Sequence, residues 1–200
     1  MGASPPPSPT RSALVVRTTA ETAIRLALAL EGQGRARVST GIGFLDHLLQ
    51  QLAFHGGLDL EVVASGDLEV DEHHTVEDVL AALGEALSRA LGGREGVARY
   101  GWATVPMDES RATAAIDLVR RPHAEVALAF QGERVGGLAL PLLPHALERL
   151  AMEGRLTLHV QGAGKDDHHV AEAAFKALGR ALRQACALDD VGVRSTKGGL

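Results

Sequence analysis

The chain has 200 residues, of which 46% are hydrophobic and 22% charged, a composition typical of globular proteins and unlike that of disordered ones. Its net charge of −5, without a cluster of basic residues, argues against a nucleic-acid partner. The single cysteine, the lack of an apolar run of the ~20 residues that span a bilayer, and the lack of a signal-peptide pattern predict a cytoplasmic protein.

Sequence periodicity predicts an ordered series of strands and helices after an N-terminal tail. Residues 1–10 are rich in proline and serine and are predicted to be disordered. Alternating apolar residues predict strands over 12–19 and 22–30 around a turn at EGQG (31–34). Helical periodicity, with a glycine stop after residue 91, predicts helices over 43–54, 74–91, 143–152 and 169–186. Strands are predicted over 58–64, 100–120, 124–131 and 155–161.

The chain contains an internal repeat. Residues 52–62 (LAFHGGLDLEV) align with residues 150–160 (LAMEGRLTLHV), and after a gap in the following loop the segment around His73 aligns with that around His168. Loops tolerate insertions, so the position of the gap is what a duplication predicts. We therefore expect a single α+β domain over 11–200, built from two packed halves, 11–94 and 95–190, and followed by a C-terminal tail, 191–200.

Each half carries a His-His-x-x-Glu motif at the start of its last predicted helix. Residues three and four apart share a helix face, so the glutamate can share a site with one histidine while the other points elsewhere. A single pair of this kind is also explained by helix capping or core packing. Two copies favour metal binding, and imidazole with carboxylate suits Mn, Fe, Zn, Ni or Co. The repeated residues are His47 and His145, His73 and His168, His74 and His169, and Glu77 and Glu172.

Other candidate residues carry weaker signals. The hydroxyls and ammonium of Ser195, Thr196 and Lys197 can hold a phosphate, although flexible tails often have this composition. Arg99 and Arg121 offer forked donors for the same anion, or surface ion pairs. Glu21 is a candidate acid or base, or a solvated carboxylate. Asp108 and Glu109 follow a proline, as turn residues do.

Seven segments together resemble the imidazoleglycerol-phosphate dehydratases of histidine biosynthesis. The resemblance covers residues 11–200 in matching order and implies a single catalytic domain over these residues, with a substrate-binding tail at 191–200. An added phosphatase domain is not seen, so the chain resembles the monofunctional form. The segments are RTTAET (17–22), TGIGFLDHLLQQLAFHG (40–56), GDLEVDEHHTVEDV (66–79), PMDES (106–110), TLHV (157–160), DHHVAEAAFKALGRAL (167–182) and STKG (195–198).

The resemblance implies a fold, a reaction and a mechanism. The fold is a tandem duplication of a half-domain with a mostly antiparallel four-stranded sheet and two helices, similar to domain 2 of ribosomal protein S5. The reaction is the dehydration of D-erythro-imidazole glycerol phosphate to imidazole acetol phosphate. No carbonyl acidifies the proton that is lost, so the family uses a metal-bound imidazolate and a diazafulvene-like intermediate.

The resemblance also implies cofactors, assembly and residue roles. Two Mn²⁺ ions serve each active site, and 24 subunits assemble with sites shared between neighbours. The implied metal ligands are His47, His73, His74, Glu77, His145, His168, His169 and Glu172. The implied catalytic residues are Glu21, Glu77, Glu172, His47 and His145. The implied substrate-binding residues are Glu21, Gln51, His55, Arg99, Arg121, Lys176, Ser195, Thr196 and Lys197.

The chain departs from the family pattern at a few positions. Asp166 replaces an asparagine before the second histidine pair, Ala146-Leu147 replace two phenylalanines, and Arg194 replaces a proline before STKG. Arg120, beside Arg121, is a second candidate for the substrate-facing arginine. Two alternative functions remain open at this point: a two-metal hydrolase of phosphate esters, and a metal-binding or shell-forming protein without catalysis.

Overall fold

The structure is a computed structural model that describes residues 11–189 and residue 192. The first half of the chain forms β1 (Ser12–Thr18), β2 (Thr22–Ala29), β3 (Ala36–Ser39), α1 (Gly43–Gly56), β4 (Asp59–Gly66) and α2 (His73–Leu91). The second half forms β5 (Tyr100–Met107), β6 (Ser110–Asp117), β7 (His123–Ala129), β8 (Arg134–Val135), β9 (Leu138–Ala139), α3 (Leu142–Gly154), β10 (Thr157–Ala163) and α4 (Asp167–Cys186).

The two halves have the same sheet topology. The first sheet has the order β1-β2-β4-β3 and the second the order β5-β6-β10-β7. In each sheet one pair is parallel, β3 with β4 or β7 with β10, and the other two pairs are antiparallel. The predicted α+β fold with duplicated, mostly antiparallel four-stranded sheets is confirmed.

The helices cover one face of each sheet and join the halves to each other. Alternate residues of β2, such as Ile24, Leu26 and Leu28, are buried beneath the helices, as a half-buried strand requires. Across the halves, α1 packs against α4 and α2 packs against α3. Each crossing has a glycine at its closest approach: Gly179 of α4 meets the α1 backbone, and Gly84 of α2 meets the α3 backbone. These crossings bring residues of both halves together.

Most predicted elements are confirmed to within two residues, including the helix stop at Gly92, which has φ +52°. The predicted turn at EGQG is wrong as the connection between the first two strands. Residues 19–21 make that connection, and EGQG instead follows β2 and leads into β3, a strand that the sequence pattern missed. The EGQG loop is held by Asp59, whose side chain accepts hydrogen bonds from the backbone of Gln33 and Arg35.

Arg94 lies fully buried near the predicted boundary between the halves. Its guanidinium donates hydrogen bonds to the carbonyls of Leu118 (2.8 Å), Arg155 (2.7 Å) and Gly154 (2.7 Å). Burial and neighbouring arginines lower the pKa of Arg94 to about 10. The side chain thus ties the segment that links the halves to the ends of β6 and α3.

No helix within the described residues is long and apolar enough to cross a membrane.

Candidate metal centre

One histidine–glutamate cluster forms where α1 crosses α4. His47 comes from α1, and His168 and Glu172 come from α4. The Nε2 atoms of His47 and His168 lie 2.8 and 3.0 Å from the same oxygen, Oε2 of Glu172. Phe44 packs beside the cluster, with its ring centroid 4.9 Å from that of His168. Glu172 is 6% exposed, so its charge depends on these partners rather than on water.

The second cluster repeats this arrangement where α2 crosses α3. His145 Nε2 lies 2.9 Å from Oε2 of Glu77, and His73 Nε2 lies 3.4 Å from the same oxygen. Arg149 Nε lies 3.1 Å from the other carboxylate oxygen of Glu77. In both clusters the histidine–glutamate pair on one helix is four residues apart, a spacing that places the two side chains on one face.

The two clusters have the composition of metal sites. In each, two imidazole nitrogens and one carboxylate oxygen lie within 4.8 Å of one another. Histidine and carboxylate are donors for Mn, Fe, Zn, Ni or Co. Each cluster draws one histidine from one half of the chain and the remaining histidine and glutamate from the other, because the helix crossings pair α1 with α4 and α2 with α3.

The second histidine of each pair points away from its cluster and contacts other carboxylates. His74 Nδ1 lies 3.0 Å from Asp67, and its Nε2 lies 3.7 Å from Glu21. His169 Nδ1 lies 3.0 Å from Glu109. The hydrogen bonds to Asp67 and Glu109 raise the pKa of His74 and of His169. This is the division of roles that the helical spacing predicts.

Both cluster glutamates are held ionised. Burial acts to raise the pKa of Glu172, but hydrogen bonds from His47, Lys176 and His168 outweigh it and lower the value to about 2. Burial also acts to raise the pKa of Glu77, but the hydrogen bond from His145 and the charge of Arg149 lower it below its usual value. Two anionic carboxylates, each facing two imidazoles, favour a cation at each cluster.

The predicted substrate-binding residues on the helices lie beside the first cluster. His47, Gln51 and His55 follow one another at four-residue spacing along α1. Lys176 of α4 lies 2.6 Å from Oε1 of Glu172. Burial, followed by the charges of Lys176 and Arg180, lowers the pKa of His55. The row on α1 therefore runs beside a cationic row on α4.

The arginines predicted to face an anion differ in their surroundings. Arg99 donates two hydrogen bonds to Asp117, from Nε to Oδ1 at 2.7 Å and from Nη2 to Oδ2 at 3.0 Å, and its guanidinium stacks over the ring of Tyr100. Arg120 and Arg121 are both exposed, but Arg120 donates a hydrogen bond to the carbonyl of Gly92 at 2.9 Å. This arrangement favours Arg121 over Arg120 as the arginine available to a ligand.

The predicted phosphate-binding residues Ser195, Thr196 and Lys197 and the departure at Arg194 lie outside the described residues.

Sequence reasoning missed several residues that contact the histidines or their glutamates, and three of them do so at 3.1 Å or less. Asp67 and Arg149 were not identified, and Glu109 was interpreted only as a turn residue. Glu109 does lie in the turn between β5 and β6, next to Asp108 with φ +48°, but it also reaches His169. The sequence offered one signal for Asp67, its position in the acidic loop before His73. Arg149 and Glu109 reach Glu77 and His169 from segments that are distant in the sequence.

The departures from the family pattern that fall within the described residues are accommodated. The side chain of Asp166 accepts a hydrogen bond from the His168 backbone at 2.9 Å and caps α4. Asp71 makes the matching contact with the His73 backbone at 2.8 Å. Ala146 and Leu147 are each 1% exposed and lie in the core.

Comparisons with known proteins identify relatives of the whole chain. The family model for imidazoleglycerol-phosphate dehydratase matches residues 40–182, which is more than half of the chain. The imidazoleglycerol-phosphate dehydratase of Moorella thermoacetica is 52% identical over 191 residues, covering 94% of this chain and 97% of that protein. A bifunctional histidine biosynthesis protein of Stenotrophomonas maltophilia is 48% identical, and the match covers 95% of this chain but 53% of that protein.

A solved structure agrees with the fold. The crystal structure of the Pyrococcus furiosus protein of this family, in complex with the compound (S)-C348, superposes with a TM-score of 0.81 at 36% sequence identity. The match covers 93% of this chain and 100% of the other. The single-function relative and the solved structure thus correspond to this chain over nearly their full lengths.

Proposed function

Because the chain belongs to the imidazoleglycerol-phosphate dehydratase family, we propose that it converts D-erythro-imidazole glycerol phosphate to imidazole acetol phosphate in L-histidine biosynthesis. The reaction removes a proton from one side-chain carbon and hydroxide from the next, and the enol that remains becomes the product ketone. The observation that carries this proposal is the pair of equivalent clusters, each with two imidazoles on one carboxylate. A ring substrate with two nitrogens suits a site with two such clusters.

We assign two Mn²⁺ ions to each active site, with other divalent metals as alternatives. His47, His168 and Glu172 would hold one ion and His73, Glu77 and His145 the other, and His74 and His169 would complete the ligand set. When bound, the ions supply Lewis acidity toward the nitrogens of the substrate ring, which suits departure of the hydroxyl along a diazafulvene-like route. The buried, anionic state of Glu172 supports a cation at its cluster.

Glu21 is proposed as the proton-transfer residue. Its carboxylate lies in the connection between β1 and β2, 3.7 Å from His74 and 51% exposed, so it is accessible to a substrate that approaches the histidine. A base must come within hydrogen-bond distance of the proton that it removes. The position of Glu21 beside a proposed metal ligand supports this role.

The substrate is proposed to contact several chain segments around the clusters. Gln51, His55 and Lys176 flank His47 and Glu172, Arg121 is exposed, and Arg99 is held in orientation by Asp117. Ser195, Thr196 and Lys197 would contribute hydroxyls and an ammonium to the phosphate. The catalytic set is Glu21, Glu77, Glu172, His47 and His145.

We further propose a cytoplasmic assembly of 24 subunits whose active sites are shared between neighbours. His74 and His169 do not join the clusters of their own chain, and this supports ligation to a metal whose other ligands belong to a second subunit. An isolated subunit would then bind substrate poorly.

The decisive experiment is turnover by metal-stripped protein before and after addition of Mn²⁺, with both imidazole acetol phosphate and inorganic phosphate followed. A dehydratase forms imidazole acetol phosphate only when metal is present, whereas a hydrolase of phosphate esters releases inorganic phosphate. Folded, metal-loaded protein that forms neither would contradict the proposal.

Glu21→Gln separates catalysis from metal storage. We expect turnover to fall by a factor of about 10² to 10⁴, the usual contribution of a positioned acid or base, while bound metal is unchanged. The exposed carboxylate Glu125 on β7 offers the matched control, and Glu125→Gln should retain both properties. Unchanged turnover in Glu21→Gln would exclude the assigned role.

A further inference from the structure

The histidines that point away from the clusters share one feature: each Nδ1 faces a carboxylate. Asp67 Oδ2 lies 3.0 Å from Nδ1 of His74, and Glu109 Oε2 lies 3.0 Å from Nδ1 of His169. An ionised carboxylate only accepts hydrogen bonds, so Nδ1 carries the proton in both rings. In the neutral ring the lone pair is then on Nε2. This atom lies on the side of the ring away from Asp67 or Glu109, 3.7 Å from Glu21 in His74 and 3.9 Å from Asp108 in His169.

The two carboxylates come from segments that are not equivalent in the duplicated halves. Asp67 lies in the loop between β4 and α2, whereas Glu109 lies in the turn between β5 and β6. The loop before α4 is shorter, and its side chains do not supply the partner of His169. The contact to Nδ1 is therefore made from different segments in the two halves. Glu109 lies in the turn that corresponds to that of Glu21, whose carboxylate is 3.7 Å from Nε2 of His74 rather than beside its Nδ1.

Glu109 is itself held in place. Its Oε1 accepts hydrogen bonds from the Ser110 hydroxyl at 2.7 Å and from the backbone of Asp166 at 2.9 Å, which leaves Oε2 for His169. Asp67 places both of its oxygens within 3.3 Å of His74 Nδ1, and its side chain is 20% exposed. Both carboxylates can therefore hold their rings at a set angle.

We propose that Asp67 and Glu109 are positioning residues that set the tautomer and orientation of His74 and His169, so that each Nε2 is available to a metal ion. This inference depends on the proposed function, which makes the two histidines metal ligands. Carboxylates that accept from the second nitrogen of a ligating histidine orient the ring and raise its basicity, and their loss commonly weakens metal binding about ten- to hundredfold.

The variants Asp67→Ala and Glu109→Gln test the two positions in different ways. Alanine removes the acceptor, so the His74 ring is free to turn and to change tautomer. Glutamine at position 109 keeps an oxygen that accepts from the backbone of Asp166, but its amide N–H faces His169. Nδ1 of His169 must then accept this hydrogen bond, so the neutral ring carries its proton on Nε2. Glu125→Gln is the control for a lost charge away from the clusters.

The measurement is titration of the full-length, metal-free proteins with Mn²⁺, with free Mn²⁺ followed by electron paramagnetic resonance, at pH 7 and 8. We expect each variant to bind about half of its Mn²⁺ about ten- to hundredfold more weakly and the other half as the wild type does. Thermal unfolding of the metal-free proteins is measured in parallel, because a merely structural role would change it and a positioning role would not.

The outcomes separate this inference from the proposed function. Wild-type protein that binds Mn²⁺ and turns over substrate, with variants of unchanged affinity, would overturn the positioning roles alone. A variant whose metal-free form is destabilised while its Mn²⁺ affinity is unchanged would also overturn them. Wild-type protein that binds neither Mn²⁺ nor another divalent metal would overturn both proposals.

Discussion

The carboxylate of Asp59 organises the loop between β2 and β3. It accepts hydrogen bonds from the Gln33 backbone at 2.8 Å and from the Arg35 guanidinium at 3.0 Å. The side-chain bond from Arg35, followed by the backbone bond from Gln33, lowers the pKa of Asp59 from 3.8 to about 2. The ionised form is therefore favoured in the folded chain more than in the unfolded chain.

This lowered pKa predicts a pH-dependent effect of Asp59→Asn on the free energy of unfolding. The carboxylate stabilises the fold above its unfolded-state pKa of 3.8, and that contribution is lost as the pH falls through about 2. The variant should be less stable by up to about 1 kcal/mol at pH 7, a small effect because the partner Arg35 is largely exposed. Urea unfolding of metal-free protein at pH 7, 4, 3 and 2 checks this, and a difference undiminished at pH 2 would contradict it.

At the residue scale the sequence predicts which side chains resemble ligands but not what surrounds them. The histidine pairs and Glu77 and Glu172 stand out because the duplication repeats them at helical spacing. Asp67 lies in the loop before its histidine, whereas Glu109 approaches from another segment. Helical spacing describes one face of one helix, so it carries no information on partners that reach a ring through tertiary packing.

The crossings between helices depend on glycines whose absent side chains allow backbones to touch. A Cβ at Gly179 would contact the Leu52 carbonyl oxygen and would lie 2.9 Å from the Gly56 nitrogen. Both neighbours are backbone atoms of α1 and cannot rotate aside. The crossing of α1 and α4 also sets the distance between His47 and Glu172, so packing and site geometry are linked there.

We therefore expect Gly179→Ala to destabilise the protein by about 1–3 kcal/mol, the usual cost of overpacking. This outcome runs against helix propensity, which favours alanine over glycine by about 1 kcal/mol. Gly43→Ala, at the first position of α1, is the matched control, since no atom lies within 4 Å of the added Cβ. Denaturant unfolding measures both variants, and equal stability of Gly179→Ala and wild type would refute the argument.

At the element scale the periodic segments were predictable and the short ones were not. The helices and longer strands carry several turns or alternations of apolar residues, and their predicted bounds agree with the structure. Strand β3 has four residues, and β8 and β9 have two each, too few for a period to be recognised. The glycines of EGQG indicate a turn correctly but cannot indicate which strands it connects.

At the scale of the whole molecule, each cluster joins the two halves of the chain. His47 from the first half meets His168 and Glu172 from the second, and His145 from the second half meets the glutamate of the first. The sequence repeat predicted that the halves pack together, but only the helix crossings show that both helix-crossing clusters combine residues of the two halves. A metal in either cluster would therefore link the halves.

Metal removal should consequently lower the thermal stability of the whole protein. A ligand that binds only the folded state stabilises it by about 2.7 kcal/mol when its concentration is 100 times its Kd. We expect Mn²⁺ to raise the melting temperature of metal-stripped protein and a chelator to reverse the change. In the double variant Glu77→Gln/Glu172→Gln each cluster loses its anion, so its melting temperature should respond little to Mn²⁺, whereas Glu125→Gln should respond as the wild type does. An equal Mn²⁺ response in the double variant and the wild type would mean that the stabilising ions bind elsewhere, because the two clusters would no longer offer them a carboxylate.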